Sequence, residues 1–302
     1  MGIIDDIKLQ FKQPNNTVVQ LIILNVAIWI PFTLLAVISQ VFGGGFIYSF
    51  IFENVSLPST FSSFIFRPWT LLTYGFFHSS SSIFHIIMNM YILYLFGRLL
   101  ASVYGNNRVL SSFILGILGG GALYLLAYNF VPFFMEKGPA QLIGASAGVT
   151  AVVVATATFM PDYRFNLLLI GPIKIVYIAV VMVFLSYIGT TGSNAGGQLS
   201  HLGGALIGFI YARLMLSGTD IGKWVITLRD FFANVFKPKP KVKVSYKKDK
   251  SSNKATSSKP SASSNFATQS EIDAILDKIS HSGYESLTTS EKQKLFSVSQ
   301  KN

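Results

Sequence analysis

Long apolar runs alternate along this chain with short polar segments, and six of the runs read as membrane-crossing helices. They span Val18 to Phe42, Ile83 to Leu100, Val109 to Phe134, Leu142 to Met160, Gly171 to Ile188 and Leu199 to Leu216. Several carry Gly, Ser, Asn or His, which lipid-facing surfaces disfavour, so those faces are predicted to turn toward neighbouring helices. The pattern predicts an all-α polytopic bundle of six spans within residues 1–236. The first run follows a mixed-charge lead (Asp5, Asp6, Lys8, Lys12) and has no convincing cleavage site after it. It reads as a retained helix rather than a removed signal peptide.

The polar segments orient the bundle. With the N-terminus inside, one set of loops holds Arg98, Arg108, Arg164, Lys174, Arg213, Lys223 and Arg229, whereas the other has little beyond Arg67 and Lys137. Basic loops stay on the cytoplasmic side, which places both chain ends there. The first outer loop, Gly43 to about Ser82, is long and aromatic and contains Arg67-Pro68-Trp69. Such residues favour the membrane interface, so part of this loop is predicted to lie in the outer leaflet. The last outer loop, Gly189 to Gln198, reads GTTGSNAGGQ and is a candidate gate, because its glycines and serines hold no packed core.

Past Phe236 the apolar pattern stops. Residues 237–270 are rich in Lys, Ser and Pro and read as a disordered basic linker, attracted to the anionic head groups of membrane lipids. Nucleic acid is not an expected partner: Tyr246 is the one stacking aromatic within the lysine-rich stretch 237–259. Helical spacing returns in residues 271–302, at Ile272, Ile275, Leu276 and Ile279. Gly283 ends that turn, and Thr288-Thr289-Ser290-Glu291 resembles a capping box, so a small helical hairpin is predicted.

Composition sharpens this picture at two points. At 51% hydrophobic and 12% charged residues, the chain is too apolar for an ordinary soluble domain, and much of its net charge of +11 sits in the tail. The absence of cysteine excludes disulfides, thiol nucleophiles and cysteine-ligated metals.

The candidate chemistry lies where three spans begin on the outer side. Gly144-Ala145-Ser146-Ala147-Gly148 opens the fourth span, His201 opens the sixth, and His85 and Asn89 stand four apart at the start of the second. Gly144 and Gly148 form a small-xxx-small pair, continued by Ala151 and Ala155, and Gly204 and Gly208 form another. Such stripes let helix backbones approach closely in lipid. If these two face each other, His201 comes within reach of Ser146, as a nucleophile and its base require. Asn89 and neutral His85 can each donate a hydrogen bond to a developing oxyanion, and N–H groups at the start of the Ser146 helix can add to them. Taken singly, Ser146 is more readily explained as packing, whereas the His85–Asn89 pair favours chemistry over its blander reading as an interhelical clamp. Their shared membrane depth favours chemistry further.

Absences narrow the mechanism. Between Glu53 and Asp220 the only acidic residues are Glu136 and Asp162, both in loops. No third triad member or aspartate pair is available within a span, and no histidine begins an HExxH zinc motif. A serine–histidine dyad without a metal is the hydrolytic mechanism these spans can support.

The motifs HxxxN (His85, Asn89), GxS (Gly144, Ser146) and HxxGxxxG (His201, Gly204, Gly208) come in the order found in rhomboid intramembrane serine proteases. Over roughly Phe66 to Leu216 the chain resembles the six-helix bacterial members of that family. The resemblance implies a six-helix rhomboid bundle with Ser146 as nucleophile and His201 as general base. It further implies that His85, Asn89 and Gly144 form the oxyanion region and that no cofactor is needed. Transmembrane protein substrates and a bacterial inner or plasma membrane are the implied partners and location.

The chain departs from the usual family pattern at three places. Ala147 follows the nucleophile where glycine is common, Thr150 stands where an aromatic often supports the imidazole, and Trp69 is followed by Thr70 rather than arginine. The rival reading is a catalytically silent rhomboid-like protein that binds transmembrane clients. A transporter ranks third, for want of an internal repeat or a charged midplane site.

Overall fold

The computed structural model describes residues 2–13, 15–80, 82–167, 171–235 and 269–299. The basic linker expected at 237–270 lies almost wholly outside them. The described residues belong to two compact units, 1–239 and 240–302.

In the first unit, apolar runs become helices where nothing competes for their backbone. These are α1 (Ile3–Lys12), α2 (Thr17–Phe42), α3 (Phe46–Val55), α4 (Phe61–Phe64), α5 (Thr70–Thr73), α6 (Ile83–Tyr104), α7 (Asn106–Phe130), α8 (Pro132–Met135), α9 (Ser146–Phe159), α10 (Ile175–Gly189), α11 (Ala195–Leu216) and α12 (Lys223–Val235). Among the described residues α2, α6, α7 and α11 are long and apolar enough to cross a membrane, while α9 and α10 are shorter, with 14 and 15 residues.

That shortening corrects the boundaries expected from hydropathy. Leu142 does not start a helix, because Gln141–Leu142 (β2) pairs antiparallel with Leu57–Pro58 (β1), Leu57 opposite Leu142. Gly171 does not start one either: Gly171–Lys174 (β4) forms an antiparallel pair with Arg164–Leu167 (β3), and the helix begins at Ile175. Conversely, α11 starts at Ala195, four residues before the expected Leu199, which shortens the irregular part of the last outer loop.

The helices differ in what covers them. In α9 nearly every residue is buried, from Ala147 and Gly148 through Val153 to Phe159. A helix that is apolar all round in this way is a core element. Helices α6, α7, α10 and α11 surround it. On α2 and α10, by contrast, Leu24, Leu34, Ile38, Val181, Phe184 and Leu185 are exposed, a surface suited to lipid.

Small residues decide how closely the core helices approach. A Cβ on Gly204 would overlap the carbonyl oxygen of Ala147, and one on Gly208 that of Ala151. On Gly120 of α7 a Cβ would stand 2.6 Å from both the Ala147 methyl and the Ser200 carbonyl oxygen. Helices α7, α9 and α11 therefore meet backbone to backbone. The expected pairing of stripes is corrected at one position: Gly208 faces Ala151 of the expected stripe, but Gly204 faces Ala147, while Gly148 turns to α7, where a Cβ would lie 2.8 Å from Phe113.

The long first loop is folded rather than loose. The last carbonyls of α3 have no partner within the helix. Arg67 donates to Glu53 O at 2.5 Å, Trp69 Nε1 to Asn54 O at 2.8 Å and Thr73 Oγ1 to Val55 O at 2.9 Å. At the opposite end of the bundle Arg108 pairs with Asp220, and Ser111 donates to Gly222 O at 3.1 Å, fixing the turn before α12.

The second unit comprises α13 (Gln269–Ser282) and α14 (Thr289–Ser299), joined through Gly283 at φ 75°. Glu291 accepts the Thr288 N–H at 2.7 Å while its own N–H donates to Thr288 Oγ1 at 3.3 Å, a reciprocal cap. That hydrogen bond and the neighbouring Lys278 hold the Glu291 carboxyl down to about 2.

The backbone contact at Gly208 makes a stability prediction. Gly208→Ala should cost about 1–3 kcal/mol through overpacking. Gly45→Ala, where a Cβ meets nothing within 4 Å, should stay within about 0.5 kcal/mol of the parent. Unfolding in detergent checks both, and equal stabilities would contradict the packing described.

Candidate active site

The loop that delivers the candidate nucleophile is held at three points. Ser59 N donates to Ala140 O and Ala140 N to Ser59 Oγ, both at 2.9 Å, which extends the β1–β2 pairing. Gly144 N donates to Tyr74 O at 2.9 Å, and Tyr74 Oη to Ile117 O at 2.6 Å, so the loop hangs from the first loop and, through it, from α7. Gly144 adopts φ 135°, open in practice to glycine alone. A side chain there would also meet His85 Cε1 at 3.2 Å and Ser146 Oγ at 3.7 Å. The missing side chain thus lets the backbone pass closely beside a histidine ring and a serine hydroxyl.

Ser146 is the first residue of α9. The N–H groups of a first helical turn have no carbonyl partner within the helix, and the helix dipole adds positive potential. Ser146 and His85 line a cavity of about 470 Å³ together with Tyr124, Tyr128, Gln141 and Asn194. An anion forming on a group attacked by Ser146 Oγ would therefore meet helix N–H groups and the His85 ring.

His201 lies on α11, three residues before Gly204, hence on the same helix face as the glycine that touches Ala147. The crossing brings the backbone of α11 against that of α9 just past Ser146, although His201 is not among the residues that line the cavity beside Ser146. Among the described residues no hydrogen bond joins His201 to Ser146 in this resting arrangement. The hydrogen bond of His201 is instead between Nδ1 and Ser186 Oγ of α10, at 3.2 Å.

His85 and Asn89 separate in role. His85 reaches the cavity, but Asn89 is buried and does not line it; its Nδ2 lies 3.4 Å from His78 Nε2. His78 is the residue that motif reading passed over. It is fully buried in the loop before α6 and accepts the Ala145 N–H at 3.4 Å through the same Nε2. Its ring stands edge-on to His85 with centroids 5.6 Å apart. With two donors on Nε2, His78 is neutral and carries its proton on Nδ1. Burial, and secondarily His85, push it down to about 3. Its signal in the sequence was only a histidine seven residues before His85.

Two departures at the serine have local explanations. The Ala147 methyl fits because Gly120 offers no side chain opposite it. Thr150 turns its hydroxyl to Ser146 O at 2.8 Å and gives the imidazole no stacking surface. Among the described residues no cluster of His, Asp and Glu is placed to hold a metal.

Comparison with known proteins gives two family matches. The Rhomboid domain profile matches residues 66–218, half of the chain, and a family of unknown function (DUF6576) matches 264–301. RHOMBOID-like protein 12, mitochondrial, of Arabidopsis thaliana is 28% identical over 160 residues, covering 49% of this chain and 47% of that protein. Rhomboid-like protein 16, chloroplastic, of the same plant is 27% identical over 161 residues, covering 49% of each. Presenilin-associated rhomboid-like protein A, mitochondrial, of Danio rerio is 28% identical over 136 residues, 44% of this chain and 34% of that one. The chain spans about half or less of the length of these relatives.

The His78 environment fixes the sign of one pH effect. The unfolded chain takes up a proton at His78 below its ordinary value of 6.5, whereas the fold resists it to about 3. Its contribution to stability is therefore complete above 6.5 and is lost as pH falls from 6.5 toward 3. Unfolding measured against pH should give His78→Gln a shallower acid limb than the parent; an identical slope would contradict a neutral, buried His78.

Proposed function

The chain belongs to the rhomboid family and is an integral membrane protein, and from that premise we propose that it is a serine endopeptidase cutting transmembrane segments of other membrane proteins. One observation carries the reading: Ser146, at the head of the buried helix α9, shares with His85 a cavity of about 470 Å³. A cavity of that size beside unpaired helix N–H groups has room for a tetrahedral intermediate. The expected six-span topology, with both ends on the cytoplasmic side, belongs to the same proposal.

The chemistry follows from the groups present. Ser146 Oγ attacks the scissile carbonyl carbon as His201 takes its proton. The carbonyl oxygen gains negative charge and is held by the first N–H groups of α9 and by His85. Collapse breaks the C–N bond, with His201 returning the proton to the leaving amine. Water from the cavity then repeats the sequence on the acyl-serine. Asn89 supports this indirectly, through His78 and the Ala145 N–H. Residues 190–194, the irregular part of the last outer loop, flank the cavity through Ser193 and Asn194 and form the proposed cover. Small or helix-breaking residues near the cut would help, because a regular helix hides its carbonyls.

One observation favours the silent client-binding alternative: the missing hydrogen bond between Ser146 and His201. Catalytic hydrogen bonds often tighten only with substrate bound, so the protease reading is kept. As for location, the relatives above carry mitochondrial or chloroplastic names, which weighs against the bacterial inner membrane expected from sequence.

Cleavage of a model single-span substrate in liposomes tests the proposal. Ser146→Ala and His201→Ala should fold and lose cleavage. Loss of an oxyanion donor in His85→Ala should lower kcat about 10²–10³-fold, and loss of an indirect support in Asn89→Ala about tenfold. Cleavage retained in Ser146→Ala would end the reading.

A further inference from the structure

The dyad leaves one question open: what orients the base. Among the described residues no carboxylate lies on the helices around His201. Glu136 ends the short helix α8, and Asp162 accepts from Lys174 at 2.6 Å. Thr150 bonds the Ser146 carbonyl and offers no ring face. An imidazole without a partner on Nδ1 would sample both neutral tautomers, and one of them protonates the nitrogen that must accept the serine proton.

We propose that Ser186 is the positioning residue of the base, its hydroxyl oxygen accepting the Nδ1–H of His201 and so keeping the Nε2 lone pair free for Ser146. The proposal rests on the protease reading above and adds to it a residue outside the family motifs. Three observations carry it.

The first is the contact, Ser186 Oγ to His201 Nδ1 at 3.2 Å. The second is burial. Ser186 is 4% exposed and is one of three buried residues of α10, with Ile175 and Ala179. Ala179 and Ser186 are seven apart, so they mark one stripe facing the bundle on a helix that otherwise shows large apolar residues to lipid. The third is the choice of partner. Other hydroxyls on the core helices donate to backbone carbonyls, as Ser112 does to Arg108 O, Thr156 to Val152 O and Ser200 to Gly197 O. For Ser186 the partner is the imidazole instead.

Both imidazole nitrogens are accounted for with this one acceptor. In the resting state Nδ1 holds its proton toward Ser186 and Nε2 is bare. When Ser146 Oγ bonds to the carbonyl carbon, its proton moves to Nε2, and the imidazolium keeps Nδ1–H on Ser186. Departure of the amine removes the Nε2 proton and restores the first state. The Nδ1 proton never leaves. A hydroxyl stabilises an imidazolium less than a carboxylate would, but it places no extra charge within the bilayer. Its loss should therefore cost roughly tenfold, as for one neutral hydrogen bond.

The test uses the full chain in liposomes with two variants. Ser186→Ala should lower kcat about tenfold with KM unchanged, and Ser186→Thr, which keeps the hydroxyl, should recover most of it. An unchanged kcat in the alanine variant, or no rescue by threonine, overturns the assignment. A second measurement does not depend on proteolysis. Nitrogen NMR of ¹⁵N-histidine protein, with His201 identified by its loss in His201→Gln, should show the Nδ1–H tautomer in the parent and a mixture in Ser186→Ala. An Nε2–H tautomer in the parent, with Ser186 as donor, overturns the proposal. A parent that shows the Nδ1–H tautomer but cleaves nothing would sink the protease reading while leaving the positioning contact established.

Discussion

Backbone contact between α9 and its neighbours is the constraint on which the remainder depends. Lipid gives no hydrophobic drive for helix association, so close packing must supply it. Here the supply is concentrated where Gly204 and Gly208 lie against the Ala147 and Ala151 carbonyls and Gly120 lies under the Ala147 methyl. A larger side chain at any of these points would push α11 or α7 away from the serine helix. The same contact that closes the core sets the depth and azimuth of His201 relative to Ser146.

Around that crossing, the first loop acts as scaffold. It contributes the strand that pairs with Gln141–Leu142, the Tyr74 carbonyl that holds Gly144, and His78, which ties the Ala145 N–H to Asn89. The aromatic residues that looked like a membrane anchor therefore have structural duties as well: Trp69 and Arg67 close the end of α3. The site is a joint product of the core helices and of a loop whose backbone is pinned at Leu57–Ser59, Tyr74 and the end of α3.

Much of this was legible in the sequence. The apolar runs marked the helices, and the GxS motif marked Ser146 at a helix start, whereas His201, expected to open its span, stands well inside α11, which begins at Ala195. What eluded sequence reading was anything set by pairing across distance. Leu142 is apolar and looked helical, but Leu57, 85 positions away, claims it as a strand partner. The glycine stripes were visible, yet their register was not, because Gly148 and Ala147 are equally small and only the third helix, with Gly120 and Phe113, decides which faces where. His78 and Ser186 carry no motif; their importance comes from what folding puts beside them. Asn89 was assigned to the cavity by its spacing from His85, but that spacing fixes a helix face and not the neighbour that face meets.

The central claim is that the close α9–α11 crossing makes Ser146 a nucleophile activated by His201. A fluorophosphonate probe added to the folded protein in liposomes, followed by peptide mass spectrometry, tests it most directly. The expected result is a single adduct on Ser146 that disappears in a folded His201→Ala variant. A folded parent protein that never labels, or one whose adduct lies on another serine, would contradict it.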